Sequence, residues 1–132
     1  MRAEYLASDD YKEKLKKDES AIKAAQKKLW RKIVRLRGLD LNDHVALLNW
    51  IVDIQPLTDR TGVNAQSAEI VNILEHAGYK SNVNTGKDLD REDPDNFARY
   101  IVGRTMLMLT EVGAIHHVIG KFVSEWKRDH LK

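Results

Sequence analysis

Between Asp93 and Arg128 the apolar residues recur at helical spacing. Met108, Val112, Ile115, Ile119, Phe122 and Trp126 follow steps of four, three, four, three and four, and Phe97 and Ile101 precede them. A strand would alternate at two. A second row, Val102, Met106, Leu109, His116 and Val123, lies beside the first. Asp93 can cap a helix starting here, and Pro94 stands at its first position, where a missing N–H leaves nothing unsatisfied. The pattern predicts one long packing helix over 94–128. Its wide apolar face must be covered, either by other helices of the chain or by a second copy meeting it through the 108–126 seam. Arg99, Arg104, Glu111 and Lys121 interrupt the run, so no membrane span is expected there. Gly113 and Gly120 are seven apart and would share one side of this helix. Each costs about 1 kcal/mol against alanine in a helix interior, which a close helix crossing or a ligand could offset. Gly113, His116, His117 and Gly120 are therefore a candidate crossing or ligand face.

At 132 residues the chain has one domain's length and can bury a core without staples. Its net charge is only +2, so no global basic excess points to a histone-like partner. Cysteine is absent, which excludes disulfides and thiolate metal sites and fits a reducing cytoplasm. The opening MRAEYLASDDYKEKLKKDE lacks an apolar core, and no secretory leader is expected. A helix is predicted from Ser8 or Asp9 to Arg37, closed by Gly38. Its apolar stripe is thin over residues 1–26, a helical arm, and thick from Leu29 to Leu36, where the helical domain 27–132 begins. A third helix, Leu39 to Ile54 with Asp40 or Asn42 as cap, should end before Pro56, because a residue preceding proline avoids the α region. Pro56 would then start a short helix, Leu57 to Thr61, closed by Gly62. Asn64 can cap the next helix, which runs to Ala77 with Gly78 after it and buries Ala68, Ile70, Val71, Ile73 and Leu74. The expected fold class is all-α: a small bundle of four main helices plus a short one.

The segment KKLWRKIVRLR holds six cations in eleven residues, Lys27, Lys28, Arg31, Lys32, Arg35 and Arg37, and no acid. Helical spacing puts Lys28, Arg31, Lys32 and Arg35 on one outer face. Such a face can be merely solvated, with cations complementing the helix C-terminus. It can also contact phosphates or dock an acidic protein.

Residues 56–80, PLTDRTGVNAQSAEIVNILEHAGYK, place a short helix, a glycine turn and a longer helix in succession. On Leu57, Thr58, Thr61-Gly62-Val63, Ala68 and Val71 this segment resembles the helix-turn-helix of DNA-binding proteins, including Cro-like repressors and winged-helix regulators. In such a unit Leu57, Val63, Ala68 and Val71 would lock two helices at a steep angle. The resemblance implies a second helix in the major groove, with Asn64, Gln66, Ser67 and Glu69 outward near its start. Asn and Gln side chains can pair with adenine edges. Arg60, Lys80 and Lys87 would reach phosphates, and Tyr79–Lys87 would form a rudimentary wing with a turn at Asn84-Thr85-Gly86. Thr58 departs from the family's usual alanine, and the reading helix carries Glu69 and Glu75 instead of cations.

Enzyme signatures are missing. His44, His76, His116, His117 and His130 form neither HExxH nor a His pair one turn apart, and there is no glycine-rich phosphate loop, G-x-S-x-G or cysteine nucleophile. The acidic run Asp88, Asp90, Glu92, Asp93, Asp95 lacks the EF-hand glycine, and Arg99 stands in place of its closing glutamate. Its last members should complement the N-terminus of the helix that follows. The stretch Met108–Val112 loosely resembles the all-α nucleoside triphosphate pyrophosphohydrolases, but Ala114 and Ile115 fall where a second carboxylate is required. The expectation is a non-catalytic nucleic-acid-binding regulator or accessory protein, phage-like or bacterial, without metal or cofactor. The alternative is a small helical interaction protein that binds a host protein or small ligand through a homo-oligomeric assembly.

Overall fold

The computed structural model describes residues 9–61, 64–81 and 86–131, with side chains from Glu19 onward except that of Arg60. Five α-helices account for most of them: α1 Asp9–Arg37, α2 His44–Thr61, α3 Ala65–His76, α4 Pro94–Glu111 and α5 His117–His130. A single 3₁₀ turn, Gly86–Asp88, precedes α4. No strand occurs among the described residues, and no helix there is long and apolar enough to cross a membrane. The turn at Gly62-Val63 and the middle of the expected wing, residues 82–85, lie outside the described residues.

The hub of the bundle is α2. It packs on α1, α4 and α5, while α3 closes the other side against α1 and α4. The sequence HVALLNWIVDIQPLTDRT suits this place, because Leu47, Leu48, Trp50, Ile51, Ile54 and Thr58 are all buried. Asp43 is the residue that caps α2, accepting from the Ala46 N–H at 3.1 Å, while Asp40 accepts from the Asn42 N–H one turn earlier. The expected stop at Pro56 does not occur: α2 continues through it to Thr61. Proline in a helix interior costs about 3 kcal/mol. The offset is tertiary. Beyond Pro56, Thr58 is fully buried and Leu57 packs against the core.

The long rod of 94–128 is two helices. α4 ends at Glu111, and α5 starts at His117. Gly113 takes φ +72°, a left-handed conformation that favours glycine, and its N–H reaches back to Met108 O at 3.1 Å. The chain then turns back. Trp126, late in α5, stacks on Phe97, early in α4, with ring centroids 5.1 Å apart. Along α2, the α5 chain runs antiparallel: Lys127 Nζ bonds Asn49 Oδ1 at 2.6 Å, and Gly120 lies beside Val52 and Gln55. Of the seam, Ile115, Ile119 and Trp126 are buried against their own fold, Met108 and Phe122 are half-buried against it, and Val112 in the link is exposed.

Thr58 holds this break in place. Its hydroxyl donates to Gln55 O at 3.0 Å and accepts from the buried Ile115 N–H at 3.1 Å. Thr58→Val keeps the shape but strands the Ile115 N–H, a loss of about 1–3 kcal/mol. Chemical denaturation should show it, together with faster hydrogen exchange at Ile115. Unchanged stability would show that the hydroxyl does not hold the link.

Candidate functional site

The basic stripe of α1 survives as a surface. Ala25, Leu29, Ile33 and Leu36 face the core, and the Trp50 indole N–H donates to Lys32 O at 2.8 Å, clamping α1 onto α2. The stripe therefore has a fixed direction. Lys28, Arg31, Lys32 and Arg35 form one wall of an open depression of about 380 Å³, and Asp53, Pro56 and Leu57 of α2 form the other. The antiparallel α1–α2 pair brings Pro56 and Leu57 here, a pairing that residue spacing in either helix alone does not reveal. Among the described residues the ion pairs on the stripe are Lys32–Asp53 at 3.9 Å and Arg37–Glu69 at 2.8 Å. Lys27, Lys28, Arg31 and Arg35 are exposed. Trp30 and Val34, one turn apart on α1, are 42% and 61% exposed.

The expected reading helix does not present its readers. Asn64 caps α3, its Oδ1 accepting from the N–H groups of Gln66 and Ser67 at 2.9 and 3.2 Å. Gln66 and Ser67 are only 3% and 2% exposed, and the Gln66 amide donates to Gln26 O of α1 at 2.6 Å. They are packing residues, not base readers. Ala68, expected in the locking node, faces solvent. The inward set is Gln66, Ser67, Ile70, Val71 and Leu74. The helical step itself carries this phase: Ser67, Ile70, Val71 and Leu74 are i, i+3, i+4 and i+7, with Gln66 beside Ser67, so two polar residues occupy the inner face. Lys80 lines a different cavity from the α1 stripe, and the Arg60 side chain lies outside the described residues.

Gly113, His116, His117 and Gly120 do not form one face. Gly113 is buried in the α4–α5 link, while His116 and His117 are exposed with their rings 5.1 Å apart. Gly120 does mark a helix crossing, because it faces α2. A Cβ there would meet Gln55 Oε1 at 3.8 Å and Val52 Cγ1 at 4.0 Å, both ordinary contacts. Gly120→Ala should therefore raise stability by up to about 1 kcal/mol through helix propensity. A lowered melting temperature would show that the helices cannot admit the methyl group.

The acidic run is occupied structurally. Asp93 caps α4, accepting from the Asp95 N–H at 3.0 Å, and Asp90 accepts from the Glu92 N–H at 3.0 Å. Glu92 pairs with His130 at 3.3 Å, and Asp95 pairs with His44 and Arg99. No group of three metal-ligating side chains gathers among the described residues. Comparison with protein-family models, with curated proteins and with solved structures finds no match to this chain.

Proposed function

We propose that this protein binds nucleic acid without catalysis, gripping the phosphate backbone with α1 instead of reading bases with α3. The observation that carries the reading is the depression lined by Lys28, Arg31, Lys32 and Arg35, where Asp53 is the one carboxylate among the described residues of the lining. Lys28 to Arg35 spans about 10 Å at 1.5 Å per residue. That matches about three phosphates of one strand at 3.4 Å rise each. Binding of this kind is independent of sequence and weakens steeply with salt, because each neutralised phosphate releases a counterion. A fluorescent generic duplex titrated at several salt concentrations should show a log–log slope of about −3. A slope near zero, or no saturable binding at low salt, contradicts the reading.

A second reading rests on Trp30 and Val34, whose exposure one turn apart on α1 suits docking of a partner protein. The salt series separates the two, since binding carried by these apolar side chains would be largely salt-insensitive and would not require duplex.

A further inference from the structure

Three stretches distant in sequence meet around Tyr79: the entry to α2 (Asn42, His44), the segment that follows α3 (Ala77 to Lys80) and the first turns of α4 (Asp95, Arg99). Two cavities of about 300 and 90 Å³ lie there and share Gly78, Tyr79 and Arg99. Local chemistry builds the walls. α3 closes with the Gly78 N–H bonded to Glu75 O at 3.0 Å and the Tyr79 N–H to Leu74 O at 3.1 Å, an arrangement that needs a left-handed residue after the helix. Gly78 supplies it with φ +96°, and apart from its chain neighbours none of the described residues comes within 4 Å of where its Cβ would be. Tyr79 is fixed by its hydroxyl, which donates to Leu41 O at 2.8 Å. Burial, reinforced by the charge of Asp95 and opposed by Arg99, pushes its phenol above the ordinary range, so it stays a neutral wall.

The charges are arranged in depth. Asp95 Oδ1 is 3.1 Å from His44 Nε2, and its Oδ2 is 3.3 Å from Arg99 Nε. One carboxylate thus aligns two basic groups. It engages Arg99 through Nε, which leaves the two η nitrogens for another acceptor. Lys80 adds a second full cation on the same lining. Against Asp95 alone, Arg99 and Lys80 leave the cavity with a positive balance even with His44 neutral. A guanidinium held by a carboxylate and set beside an ammonium is suited to an oxyanion, because charge-assisted hydrogen bonds to such groups are short and strong.

We infer that this cavity binds a small oxyanion, a phosphate or carboxylate group, held by Arg99 and Lys80, with Asp95 as the positioning residue. The site is independent of the α1 stripe. The test is calorimetric titration of the full chain with inorganic phosphate, and separately with citrate, in chloride buffer of matched ionic strength. Saturable binding of at least one of them is expected. Arg99→Gln and Lys80→Gln should each weaken it about tenfold or more, the loss of one charge-assisted contact, while Arg31→Glu/Arg35→Glu leaves it unchanged. The ion that binds more tightly distinguishes phosphate from carboxylate. Circular dichroism confirms that each variant folds; if Arg99→Gln does not, Lys80→Gln decides, since its side chain is exposed. Absence of saturable binding, or binding that survives the substitutions, overturns the proposal.

Discussion

Trp126→Ala is expected to lower the unfolding free energy by about 3–5 kcal/mol, the range for deleting a large buried aromatic. Trp126 is 2% exposed and joins three parts of the molecule. Its ring stacks on Phe97 of α4 at 5.1 Å and on His130 of α5 at 5.0 Å. Its indole N–H donates to Arg91 O at 2.9 Å, which ties the end of α5 to the link ahead of α4. Alanine removes the packing and strands that carbonyl together. For a chain of this size the melting temperature should fall by about 10–20 °C. Trp126→Phe retains a stacking ring but not the donor, so it should lose less. A thermal melt of Trp126→Ala within a few degrees of the parent would mean that α5 is held by its α2 contacts alone.

The second large effect concerns binding. Arg31→Glu/Arg35→Glu should weaken duplex binding about a hundredfold or more at moderate salt. Each reversal removes a phosphate contact and adds a repulsion, and the salt slope should flatten by about two. Both side chains are exposed, so the fold should tolerate the change. The sign also separates mechanisms. If Trp30 and Val34 carried recognition of a protein, Trp30→Ala would be the damaging change and the charge reversals would be mild. Duplex affinity unaltered by the double reversal would remove α1 from the account.

Much of the helical framework was legible locally because its signals act over one turn. α1 runs over Asp9–Arg37 as the unbroken pattern predicts, Asn64 and Asp93 cap where their side chains can reach the first free N–H groups, and Pro94 begins α4. What was hidden depends on distant partners. Steps of four and three continue in phase across the link at Val112–His116, so periodicity alone reads two helices as one. Gly113 was the available local clue, and the Thr58–Ile115 bond that fixes the link spans 57 residues. Pro56 misled in the opposite sense, because a local stop is outweighed by burial of Thr58 beyond it. At the candidate site the stripe of cations followed from helical spacing, but its second wall, Asp53, Pro56 and Leu57, followed only from how α1 and α2 pair. The pocket around Tyr79 draws on residues from Asn42 to Arg99 and has no compact motif to announce it.

The most direct test is a map of backbone amide shifts as a short generic duplex is added. The account predicts that the largest perturbations fall on residues 27–35 of α1 and on Asp53 and Leu57 of α2. Perturbations centred on α3, residues 65–76, would mean that the duplex is held by the helix whose Gln66 and Ser67 are sealed inside, and would contradict it.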